Sequence, residues 1–241
     1  MAQMNEPQRL NEWFVPSFGP PRFRVAVGLL FLPYTGMVLS FTVIGSMLAE
    51  TIHWDRVAAI VVIYFLALGI GAHALDALGS QAVKPWGAVF SKRQLWVVAA
   101  VSVVVAYAIG IYYIVRYAPL LGVIAVLEGF FLLAYNLEWF RGRFHTNAWF
   151  AFAWGFLPVL AGYVIQTNSL SLAIVLVAMA MAALSLVEIN ASRPYKALKR
   201  GADGLTTEGR AQAAQLEVIL KSVSLGVILL GIALLIWRWT L

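Results

Sequence analysis

Apolar residues run along this chain in long blocks, and the blocks have the length of a membrane crossing. Seven stretches, near residues 23–48, 55–78, 94–115, 119–138, 147–165, 169–188 and 215–238, are dominated by Val, Ile, Leu, Ala and Phe. About 20 such residues in a helix cross the roughly 30 Å apolar layer of a bilayer with every backbone hydrogen bond satisfied internally. The pattern predicts an all-α fold: a polytopic transmembrane helix bundle of about seven spans over residues 23–241, preceded by an arm at 1–22. The arm "MAQMNEPQRLNEWFVPSFGPPRF" is polar and rich in Pro and aromatics, and it lacks the basic and short apolar regions of a signal peptide. We expect a retained arm lying at the membrane interface.

Composition strengthens the membrane reading, with 62% hydrophobic residues, 12% charged and a mean hydropathy of +0.84. The absence of cysteine excludes disulfides, thiolate-held metals, iron–sulfur clusters and thiol nucleophiles. Of the 17 Lys and Arg residues, thirteen lie in the arm and in the loops after spans two, four and six, while Arg56, Arg116 and Arg238 lie on the opposite side. That bias predicts a cytoplasmic N-terminus and a C-terminus outside. It also accounts for the net charge of +6 without nucleic acid, because the basic residues form no single patch.

Polar residues within or beside the spans gather at the same end. His73 and Asp76, in "GAHALDALGS", project about 60° apart on one helical face. Glu138 and His145 flank the turn in "YNLEWFRGRFHTNAWF", where Tyr135 and Asn136 add oxygens. Glu188 and Asn190 end span six in "SLVEINASRPYKALKRGADG", which passes into a basic loop. Carboxylates and imidazoles without thiolates suit a divalent metal, so His73, Asp76, Glu138, His145 and Glu188 form a candidate ligand set for Mg, Mn, Fe or Zn. The competing expectation is a hydrogen-bonded polar plug that closes the bundle. Arg193, Lys196, Lys199 and Arg200 have the chemistry to hold phosphate, and they are equally what topology demands of a cytoplasmic loop. Glu128 is the exception in depth. An acid at mid-span costs about 2.5–3.5 kcal/mol, so it should face the bundle interior, be protonated or have a partner.

The order of these pieces resembles the UbiA superfamily of intramembrane prenyltransferases. The likeness is carried by "GAHALDALGS", then "KPWGAVFSKRQLWVVAAV" with its basic-Pro, glycine and new-helix pattern, then "YNLEWFRG", "WGFLPVLAGY" and the acidic end of span six, over roughly residues 25–205. The resemblance implies a Mg-diphosphate site built by two acidic motifs, with Asp76 in the first and Glu188 near the second. Asp76, His73 and Glu188 become the candidate catalytic residues, and Lys84, Arg141, Arg193, Lys196 and Asn190 the candidate substrate-binding residues. The chain departs from the family pattern in having His73 in the first motif region, fewer aspartates, and seven spans in place of nine. Three expectations follow: a prenyltransferase-like enzyme on a prenyl or lipid substrate, with Mg; a His/carboxylate enzyme using Fe, Mn or Zn on a hydrophobic substrate; or a non-catalytic subunit with protein partners in a membrane complex.

Overall fold

The computed structural model describes residue 10 and residues 12–79, 89–200 and 206–241, with the backbone alone at Arg200. Among these the chain is helical throughout: α1 (Pro21–Leu29), α2 (Leu32–Met47), α3 (Trp54–Tyr64), α4 (His73–Gly79), α5 (Lys92–Arg116), α6 (Leu121–Asn136), α7 (Asn147–Ala151), α8 (Leu157–Thr167), α9 (Leu172–Arg200) and α10 (Thr207–Trp239). π-Helical segments at Phe65–Ala72 and Phe152–Phe156 join α3 to α4 and α7 to α8. Among the described residues six helical stretches are long and apolar enough to cross a membrane: Pro21–Met47, Trp54–Gly79, Lys92–Arg116, Asn147–Thr167, Leu172–Lys199 and Thr207–Trp239. This is the architecture of a multi-pass membrane protein. Helix α6, with 16 residues, rises only about 24 Å at 1.5 Å per residue.

The passages alternate between two ends of the bundle. At the end away from most basic residues, the His53 N–H donates to Gln166 Oε1 (2.8 Å) and Gln166 Nε2 donates back to the His53 carbonyl (3.3 Å). Arg56 donates to the carbonyls of Ile165 and Gln166, and Arg238 to those of Ala49 and Glu50. Carbonyls that end helices have no partner in their own helix, and these side chains supply one.

Helices α2 and α8 form the centre of the bundle, and small residues set their spacing. A Cβ on Gly45 would run into the Val159 carbonyl, and one on Gly162 into the Thr42 carbonyl. The backbones touch where side chains are absent, and Ser46 Oγ donates across the contact to the Gly162 carbonyl at 2.9 Å. Helices α5 and α10 lie outside. Val101, Val104 and Val115 on the first, and Leu229, Ile232 and Ile236 on the second, are exposed. Exposed apolar faces on long helices are what a lipid surround stabilises.

Two sequence expectations change. The first span is broken at Phe31, which takes a left-handed backbone (φ 46°) between α1 and α2. The sixth does not end near residue 188, because α9 continues to Arg200 with Pro194 inside it. Arg193, Lys196 and Lys199 are therefore helical residues and not loop residues. The helix survives its proline because Ala191 and Tyr195 are buried against Leu220 of α10, a packing term that outweighs one lost backbone hydrogen bond. The described part of the arm is held against the bundle: Glu12 is buried and accepts from the Tyr195 hydroxyl (2.8 Å), and Phe14 packs on Phe31.

Candidate functional site at the basic end

Both π-helical segments deliver a ring to one place. A π turn inserts an extra residue into the helical repeat, which rotates the side chains that follow it. The first such segment leads into His73 and the second contains Trp154, and these two rings lie 5.5 Å apart. His73 is stacked against Phe31 at 5.7 Å, Phe31 meets Tyr34 edge-on at 5.0 Å, and Phe150 stacks on Trp154 at 5.3 Å. His73 Nδ1 lies 3.0 Å from the Gly69 carbonyl, which can only accept, so that nitrogen carries the proton. Phe31 holds its place in a backbone region disfavoured for a bulky residue, so the surrounding contacts outweigh that strain.

Glu188 closes this aromatic enclosure from α9. It is 1% exposed, and neither carboxylate oxygen has a hydrogen-bond partner among the described residues. It lines two small cavities, one with Phe31, Tyr34, Ser192 and Lys196, the other with Tyr34, Phe150, Trp154 and Ser185. Gly155 lets α9 come this close, since a Cβ there would lie 2.8 Å from the Ala182 Cα. Two turns beyond Glu188, the Lys196 ammonium sits over the rings of Phe31 (4.7 Å) and Tyr34 (5.6 Å). A buried carboxylate with bare oxygens costs stability that a merely structural residue would not retain.

A second, wetter layer covers this one. His145 is stacked on Tyr135 at 4.4 Å, its Nδ1 is 3.0 Å from the Tyr135 carbonyl, and its own carbonyl accepts from Arg193. Asp76, Glu138 and Arg193 all act electrostatically on the Tyr135 hydroxyl. Asn147 donates to Asn190, which in turn donates to the Leu186 carbonyl. Asn190, expected at a substrate, is thus an exposed link between α7 and α9.

The sequence-predicted residues therefore divide. His73, Glu188 and Lys196 meet around the aromatic enclosure. Asp76, Glu138, His145, Arg193 and Asn190 lie in the outer layer. Asp76 is exposed while His73 turns inward, so the helical pair expected to share a ligand is split between layers. Arg141 is exposed on a left-handed turn (φ 60°) beyond α6. Lys84 lies outside the described residues. The five candidate metal ligands do not converge: among the described residues no three His, Asp or Glu side chains form a group able to hold an ion. Sequence reasoning missed Phe31, Tyr34, Phe150 and Trp154. The available signal was aromatic density within two turns of the polar span ends.

Comparison with known protein families, curated proteins and solved structures finds no match to this chain.

Proposed function

We propose that the protein is a UbiA-like membrane enzyme of seven spans that takes a prenyl or related lipid diphosphate at its basic, cytoplasmic end. The observation that carries the reading is Glu188. Its two bare oxygens lie against aromatic walls, with Lys196 above and Arg193 in the layer outside. An aromatic enclosure suits an apolar allylic chain and the positive charge that develops on it, and basic side chains at its mouth suit the anionic head. In this reaction the allylic C–O bond breaks and its electron pair leaves with the diphosphate, which Lys196 and Arg193 hold. An acceptor bonds to the allylic carbon, and the proton it sheds passes to the Glu188 carboxylate.

The donor set does not fit a metal held by the protein alone, since it offers one buried carboxylate with bare oxygens and an imidazole committed at Nδ1. A divalent ion enters this proposal only as a companion of the diphosphate, and no step is routed through it. Membrane lipid surrounds the bundle, and the polar outer layer is where an acceptor would arrive.

The test is turnover. Purified protein in lipid nanodiscs is incubated with radiolabelled C15 and C20 prenyl diphosphates and a membrane lipid extract, with and without Mg. Release of diphosphate with transfer of label to a lipid, lost in Glu188→Gln, is expected; intact substrate in every incubation overturns the reading.

A further inference from the structure

Glu128 takes no part in that site. It lies halfway along α6, in a cavity that shares no lining residue with the two beside Glu188. The cavity, of about 60 Å³, is formed between α3, α5, α6 and α8, and apart from Glu128 and two tyrosines its walls are apolar, among them Ile60, Ala106, Ile124 and Leu132. Glycines make the space. Gly110 and Gly129 line it without side chains, and a Cβ on Gly129 would strike the Tyr107 hydroxyl. That hydroxyl bridges the two helices by donating to the Ala125 carbonyl at 2.7 Å. Ile111, 54% exposed, marks where the cavity opens on the outer, lipid-facing side of α5.

The polar end of this cavity is incomplete. Tyr64 donates to Glu128 Oε1 at 2.8 Å, whereas Oε2 is buried and has no partner among the described residues. Among the described residues no basic side chain faces the carboxylate. An acid at this depth costs about 2.5–3.5 kcal/mol on insertion scales and is retained where it does something. A lone water would find polar partners only at Glu128, Tyr64 and Tyr107 and would leave the hydrocarbon remainder of the cavity unfilled. What matches is a molecule that is apolar apart from one group able to meet Oε2 in either protonation state. A hydroxyl donates to a carboxylate and accepts from a carboxylic acid.

We infer that this cleft is a second lipid site, which takes the hydroxyl end of a long-chain or isoprenoid alcohol from the membrane and seats it against Glu128 Oε2. The alcohol's tail leaves past Ile111 into the lipid. The inference does not rest on the diphosphate site, and its test is read independently.

The full-length protein in nanodiscs is photolabelled with diazirine-bearing C15 alcohols, one straight-chain and one isoprenoid, and the crosslinked peptides are mapped. Label on α5 or α6 peptides around Ile111 and Ile124, competed by the unlabelled alcohol and not by its methyl ether, is expected. Preference between the two alcohols tells which lipid is the source. Glu128→Leu should weaken labelling about tenfold, the scale of one buried hydrogen bond to a carboxyl group, while Glu128→Gln, which keeps an acceptor and a donor, retains most of it. Ile111→Trp blocks the mouth from the lipid side without touching a polar group and should reduce labelling as well. Prenyl diphosphate binding at the other end should be unchanged in these variants. Equal labelling by the alcohol and its ether, equal labelling of wild type and Glu128→Leu, or stronger labelling by the matching amine overturns the assignment. The ether comparison needs only the wild-type protein, so it decides even if a variant fails to fold.

Discussion

The Lys196 ammonium lies 4.7 Å from the centre of the Phe31 ring. Phe31 sits at the break between α1 and α2, and Lys196 two turns past Glu188 on α9, so this pair joins the α1–α2 break to α9 above the buried acid. The ring face helps to place the ammonium over the buried acid. Phe31→Leu removes the ring while keeping volume and apolar character. We expect it to weaken diphosphate binding roughly three- to tenfold, the scale of a partly desolvated cation–π contact, and to lower the melting temperature as well, because the ring packs on Phe14, Tyr34 and His73. Equilibrium binding alongside thermal unfolding separates the two effects.

Glu188 should trade stability for function. Its bare, buried oxygens carry a desolvation cost of about 1–3 kcal/mol or more. Glu188→Met should therefore raise the thermal unfolding midpoint while abolishing turnover. A variant that lost both stability and turnover would mark Glu188 as a structural residue.

The contact between α2 and α8 should be intolerant of a single methyl group. Gly162→Ala and Gly45→Ala each place a Cβ in a facing backbone carbonyl, and overpacking of this kind costs about 1–3 kcal/mol. Gly226→Ala in α10, where no heavy atom lies within 4 Å of the added Cβ, is the control. It should be neutral or stabilising by up to about 1 kcal/mol, since alanine is the better helix former. Unfolding midpoints of the three variants in one detergent give the comparison.

At the other end of the bundle, Gln166 completes the backbone of His53 on both its N–H and its carbonyl. Gln166→Leu leaves both groups unpaired, and a loss of about 1–3 kcal/mol is expected. Hydrogen exchange should rise locally at the start of α3 without disturbing the basic end.

These residues also show which features the sequence makes legible. Uninterrupted apolar blocks announce the six long helices, because crossing lipid requires length and hydrophobicity whatever the packing, while the block at α6 forms a shorter apolar helix of 16 residues. Breaks within passages were not readable. Phe31's left-handed backbone and the two π-helical segments have no compositional mark and are set by tertiary contacts. The end of α9 is not readable either, because burial of Ala191 and Tyr195 against Leu220 carries the helix past Pro194 and no local signal reports it. At the site, His73 and Glu188 stand out in the sequence as polar residues at the ends of apolar spans, and Lys196 as one of a basic run. The rings around them did not, since in a membrane chain Phe31, Tyr34, Phe150 and Trp154 look like ordinary core. The aspartate and histidine three positions apart looked like partners on helical geometry, yet the structure leaves Asp76 exposed and turns His73 inward.

The central claim is that the aromatic enclosure over Glu188 receives a prenyl diphosphate, and direct titration of a C20 prenyl diphosphate into the protein in nanodiscs tests it. Saturable binding is predicted, with inorganic diphosphate and the C20 alcohol each competing weakly. It should weaken about tenfold or more in Lys196→Met, as expected for loss of a charge-assisted contact. Absence of saturable binding, or binding indifferent to Lys196→Met and Phe31→Leu alike, would contradict the account.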